Sequence, residues 1–227
     1  MRRPSLCAAL TLTSLGLALG APDSDPPERE VRSALEGYAL PRGSVAAVAS
    51  ALEALRTSPD PEATTATLEL ATRACALLAD LDLRQARLAA QEQRLEERAQ
   101  RRRSRLSAED RETRQRQLEL TRVKLRIQGA QRARLAALRD ALLDTVAGLR
   151  VPAEPSLCSA AAEAAPELAA AALAALARLP GEGAREALRA GLASPPSRAA
   201  LCRRLGRDLG PDPDPWRAAF TPSKDRP

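Results

Sequence analysis

The chain has 227 residues and a formal net charge of +6, a length that sets a prior of one domain or two. Ala (49) and Leu (37) dominate the apolar residues, against six Val, one Ile and a single Phe, Trp, Tyr and Met, so a sheet core is excluded and an all-α fold is predicted. There is no His, which removes the commonest general base and metal ligand.

Residues 1–20 read as a secretory signal peptide. Arg2 and Arg3 start it, residues 6–19 form a 14-residue apolar run, and Ala18 and Gly20 are the small residues before a cleavage site at Ala21. The run is shorter than the ~20 residues that span a bilayer; an uncleaved anchor is the alternative. No later segment is apolar enough to cross a membrane, so the mature chain is expected in the periplasm or secreted. Arg outnumbers Lys 33 to 2, as in a GC-rich bacterial genome.

An N-terminal block, residues 21–60, is predicted to hold two short helices. The first covers 28–40, with Val31, Leu35 and Tyr38 on one face. The second covers 44–56, capped by Ser44, with Val45, Val48, Leu52 and Leu55 inward. Between Pro61 and Pro152 lie 90 residues without proline. An interior proline costs a helix ~3 kcal/mol, so this run permits very long helices. Across the central segment, 61–151, Leu68, Ala71, Cys75, Leu78, Leu88 and Leu95 recur mostly at coiled-coil spacings. So do Leu118, Leu125, Leu135, Leu138, Leu142, Val146 and Leu149. One continuous helix of that length would reach ~135 Å. A long antiparallel coiled-coil hairpin with its turn near 104–108 is favoured instead. Ser107 followed by Asp110 resembles a capping box, and the turn leaves arms of nearly equal length. A register with paired numbers summing to 213 sets Leu95 against Leu118, Leu78 against Leu135 and Ala71 against Leu142.

Positive charge concentrates on the outer hairpin. Residues 84–139 carry 17 basic and seven acidic groups, whereas residues 21–83 carry five basic and 11 acidic. The densest cluster is Arg98, Arg101, Arg102, Arg103 and Arg105. It is a candidate contact for an acidic protein surface or a polyanion, because arginine forks onto carboxylate and phosphate. A solvated coiled-coil face is the plainer reading. Nucleic acid is disfavoured, since no aromatic residues interleave with the cluster to stack on bases.

In the C-terminal third, 152–210, short helices are predicted over 156–165, 166–179, 182–193 and 197–209, broken by Pro180-Gly181 and Pro195-Pro196. Beyond Gly210 the alternation of Pro and Asp predicts an extended, flexible Pro-rich tail over 211–227, with Trp216 and Phe220 either docked or free. The mature cysteines are Cys75, Cys158 and Cys202, so at most one internal disulfide exists. Cys158–Cys202 is the favoured pair in an exported chain; three buried free thiols are the alternative.

Residues 168–205, LAAAALAALARLPGEGAREALRAGLASPPSRAALCRRL, resemble HEAT-type repeats, which pair an Ala/Leu-rich helix with a second Leu-bearing helix across a Gly or Pro break. Residues 45–78 echo the pattern. The resemblance implies a HEAT-like helical body acting as a binding scaffold.

No catalytic constellation emerges. Glu92, Glu96 and Glu97 sit among arginines as i, i+4 partners, and Asp80 and Asp82 fall on different helix faces. No nucleophile has an evident base, no CxxC or His/Cys cluster offers a zinc site, and no phosphate or calcium loop is present. No cofactor is expected. The expected function is that of an exported, non-enzymatic helical scaffold or interaction protein, with a protein partner or a second copy held through the coiled coil. The alternatives are a module that binds a polyanion or envelope surface through the arginine tip, and a periplasmic holdase-like chaperone.

Overall fold

A computed structural model describes residues 26–37, 44–101 and 107–220. The expected signal peptide, Tyr38, and Arg102, Arg103 and Arg105 of the arginine cluster lie outside the described residues. Among the described residues there are nine helices and no strand, which is the all-α fold expected from composition. They are α1 (Pro27–Gly37), α2 (Ser44–Thr57), α3 (Glu62–Arg101), α4 (Ala108–Gly148), α5 (Glu154–Glu163), α6 (Pro166–Leu176), α7 (Glu182–Ala193), α8 (Pro195–Leu205) and α9 (Pro213–Phe220).

The helices stack in order. Successive helices pair, α1 with α2, α3 with α4, α5 with α6 and α7 with α8. The pairs then pack in two layers. In one, α1, α3, α5, α7 and α9 adjoin in sequence; in the other, α2, α4, α6 and α8 do. This is the arrangement of stacked helix hairpins in an α-solenoid, where each unit touches mainly its neighbours. The second unit is unlike the others: α3 and α4 have 40 and 41 residues, against eight to 14 elsewhere.

The core follows from this stack. Every residue from Leu168 to Ala177 is buried, because α6 meets its pair mate α5, its layer neighbours α4 and α8, and α3 and α7 diagonally. Alanine is what lets that many helices approach one axis closely. At the hairpin base, Ala71, Ala74, Leu78 and Leu81 of α3 and Leu135, Leu138, Leu142 and Val146 of α4 join the same core. Further out the burial stops. Between Leu81 and Leu135, Thr121 is the one buried residue among those described. The 20 residues beyond Leu81, to Arg101, therefore carry the hairpin ~30 Å beyond the body.

The hairpin turns where Ser107 caps α4. Its hydroxyl oxygen accepts from the Asp110 backbone N–H at 3.1 Å, and the hydroxyl donates to the Asp110 carboxylate at 2.8 Å. Cross-hairpin neighbours fix the register: Asp82 meets Arg132, Gln85 lies beside Gly129, and Glu92 meets Arg122. These flanking pairs sum to 214, close to the 213 expected for the leucine seam between them. Two carboxylates expected to serve neighbours on their own helix, Glu92 and Glu96, instead both take Arg122 from across the hairpin, at 2.8 and 2.7 Å. Glu97 keeps an i, i+4 partner, Arg101, at 4.0 Å.

Two expectations are corrected. Residues 213–220 are helical, not part of an extended tail. Pro213 and Pro215 fall in the first turn of α9, where a helix has no intrahelical use for the missing N–H. The Asp212 side chain accepts from the Asp214 N–H at 3.1 Å to start the helix. Trp216 is fully buried and its indole N–H donates to the Gly210 carbonyl at 2.8 Å, so α9 is docked on α7. The second correction concerns the Cys158–Cys202 disulfide: Cys75, Cys158 and Cys202 are all free. Cys158 lies on α5 and Cys202 on α8, and α6 packs against both. The pair Pro195-Pro196, expected as a break, opens α8, which ends on Gly206 with φ 77°, the left-handed stop that glycine favours.

Candidate functional site on the hairpin arm

The arm's cations divide into two groups. Arg122 and Arg132 are engaged across the hairpin, with Glu92 and Glu96 in one case and Asp82 in the other. The hydrogen bond to Glu92, then that to Glu96, raises the Arg122 pKa, and Asp82 does the same for Arg132. Arg116 is held by Glu112 at 2.5 Å on its own helix. In contrast, Arg94, Arg98, Lys124, Arg126 and Arg134 are exposed and make no ion pair among the described residues. Arg98 and Arg101 of the predicted cluster lie on the last turn of α3, at the far end of the arm. Arg102, Arg103 and Arg105 follow them in the sequence, outside the described residues.

A second feature escaped the sequence reading. Leu120, Val123 and Ile127 are 61%, 43% and 54% exposed. Their spacing, i, i+3 and i+7, places them in one row on α4. The seam residues Leu118 and Leu125 are half-buried toward α3, and the exposed row lies two residues out of step, on the far side of the helix. The available signal was chemical: Val123 and Ile127 belong to a chain with only six Val and one Ile. β-Branched residues are poor choices for a merely solvated helix face.

The body offers a groove of about 800 Å³ between α3 and α5. Leu68, Ala76 and Ala160 contribute apolar lining, and Glu69 and Glu163 add carboxylates. Arg73, also on its edge, is occupied by Glu36 of α1 at 3.1 Å. The Thr65 and Ser156 hydroxyls, 3.1 Å apart, tie α3 to α5.

Arg178 is structural. It is half-buried, with its guanidinium on the carbonyls of Ala147 and Leu149, where α4 ends against the body. Burial, and then the charges of Arg56 and Arg204, lower its pKa. The cysteines are not activated. Burial is the main cause that raises the thiol pKa of Cys75, and Arg139 only partly offsets it; Cys158 and Cys202 are also raised, again chiefly by burial. Among the described residues no cluster of carboxylate, thiol or imidazole groups is arranged to hold a metal ion, and no helix is long and apolar enough to cross a membrane. Comparison with known protein families, with curated proteins and with solved structures finds no match to this chain.

Proposed function

We propose that this chain is an exported, non-enzymatic helical interaction protein. The stacked short helices serve as the scaffold, and the hairpin is an arm that carries its basic end to an acidic partner surface. The observation that carries this reading is the state of the arm's cations. Arg94, Arg98, Lys124, Arg126 and Arg134 stand exposed with no carboxylate paired to them among the described residues, on a stretch that contributes almost nothing to the core. A structural coiled-coil face would be expected to spend its arginines on cross-hairpin and i, i+4 pairs, as Arg122 and Arg132 do. Residues 1–20 support export, and the absence of His supports a role without acid–base chemistry.

The test is capture from envelope extract with the full chain and with a variant carrying Gln at positions 98, 101, 102, 103 and 105. Partners held by the arm should be shed at high salt, because exposed charges are screened within ~8–10 Å. The same partners should be missing from the variant's catch at low salt. If the variant retains the same set, the basic tip is not the contact.

A further inference from the structure

The exposed row on α4 is matched by a pattern of charge that identifies what covers it. We propose that a second copy of this chain packs there, α4 against α4, antiparallel about a two-fold axis near residues 121 and 122.

The row defines a heptad. Leu120 and Ile127 occupy one seam position and Val123 the other. The same two positions extend to Glu109, Thr113, Arg116, Ala130 and Arg134, and none of these is buried. In an antiparallel pair, one kind of seam position faces the other kind in the partner. With the axis placed as stated, Leu120 faces the partner's Val123, and Val123 faces the partner's Leu120. Ile127 lies on the aliphatic stem of the partner's Arg116, and Thr113 meets the partner's Ala130. At each end of the row, Arg134 meets the partner's Glu109. On the flank, Glu119 meets the partner's Arg126. Each contact occurs twice by symmetry, and a two-fold contact closes on itself as a dimer.

Charge selects this arrangement over a parallel one. A parallel pair would set Arg116 against Arg116 and Arg134 against Arg134 in the seam, with like charges face to face. The antiparallel register instead gives partners to Arg126 and Arg134, which make no ion pair among the described residues. Glu109 is likewise exposed and without an ion pair among the described residues. The contact runs along the 27 residues from Ala108 to Arg134, ~40 Å of helix. With a helix ~10 Å wide, the footprint is about 400 Å² on each copy, below the ~800 Å² of a standard interface. The dimer should therefore be concentration-dependent, with a Kd in the micromolar range or weaker.

The proposal goes beyond the anionic-partner reading: it assigns Arg126 and Arg134, two of the exposed cations, to a second copy, and leaves Arg94, Arg98 and the tip arginines to an acidic partner. Sedimentation equilibrium of the full chain, taken to about 500 µM, reads the mass directly. The expected result is a shift from monomer to dimer with rising concentration. A variant with both Leu120→Lys and Val123→Lys should stay monomeric throughout, with an unchanged helical spectrum. Glu119→Arg alone and Arg126→Glu alone should each weaken the dimer roughly ten-fold, since each turns two exposed attractions into repulsions. The double exchange, E119R with R126E, should restore it. A parent chain that remains monomeric at the highest concentration overturns the proposal. So does a dimer that survives the lysine pair, or single charge reversals that the double exchange fails to rescue. The five-position Gln variant should dimerise as the parent does, so loss of anionic-partner capture and loss of the dimer remain separate results.

Discussion

Gly191 and Gly129 lie inside long-range helix contacts of opposite tightness, and one substitution made at both should change stability in opposite directions. A Cβ built on Gly191 would stand 2.4 and 3.0 Å from the two methyl carbons of Leu173. Leu173 is completely buried in α6, so it has no room to swing away. Replacing glycine by alanine inside a helix gains ~0.8–1.0 kcal/mol of propensity. Overpacking a filled core costs ~1–3 kcal/mol. The second effect wins at Gly191, and Gly191→Ala should destabilise by up to about 2 kcal/mol. At Gly129 the nearest atom to an added Cβ is the Gln85 side-chain nitrogen at 3.9 Å, an ordinary contact. There only the propensity gain remains, and Gly129→Ala should stabilise by about 0.5–1 kcal/mol. Urea titration followed by circular dichroism gives both changes from the transition midpoints. In a Leu173→Ala background the Gly191→Ala penalty should vanish, because its clash partner is gone. If Gly191→Ala raises the midpoint as much as Gly129→Ala does, the close packing of α7 on α6 is wrong.

Other consequences can be measured in the same way. Trp216→Ala should cost ~3–5 kcal/mol by emptying the site under α9, while Trp216→Phe should cost clearly less, losing mainly the hydrogen bond to Gly210. Thermal melts of both variants test whether α9 belongs to the fold. Arg178→Met keeps the stem but strips the guanidinium from the Ala147 and Leu149 carbonyls, and should cost ~1–3 kcal/mol in the same assay. Because burial raises the Cys75 thiol pKa, folding favours its protonated form. That contribution is intact below the ordinary thiol pKa and is lost as pH climbs through the folded value, so the parent's urea midpoint should fall more steeply in alkali than that of Cys75→Ala.

Much of this architecture is written in local sequence. The hairpin was legible because its signals are redundant: 90 residues without proline, a capping serine followed by Asp110, and leucines that mirror across the turn. The leucines carry the approximate register, but not the pairing of Arg122 with both Glu92 and Glu96, because the heptad pattern does not say which flanking charges reach across the hairpin. The α9 helix was hidden by its prolines. Proline reads as a breaker unless it is recognised in a first turn, and that depends on Trp216 finding a buried seat in the folded body. The stacking order of the short helices was only partly visible, since one Ala/Leu hairpin looks like any other and the layer contacts join residues far apart in sequence. The apolar row on α4 was overlooked because the seam at Leu118 and Leu125 already accounted for the helical period. The burial pattern is what separates Leu118, turned toward α3, from Leu120, turned away from it.

One unit of the helical stack is lengthened into an arm that folds back on itself, and a single distance tests this hairpin. Ala79 of α3 and Ala137 of α4 are both exposed, and the Asp82–Arg132 pair sets their stretches of helix side by side at the base of the hairpin. Spin labels at these two positions, in a chain with its native cysteines replaced and diluted with unlabelled protein, report the intramolecular separation. Packed helices have axes ~8–10 Å apart, so the hairpin gives a label distance of about 10–20 Å. A continuous helix would separate the 58 intervening steps by ~87 Å, and a distance of that size would contradict it.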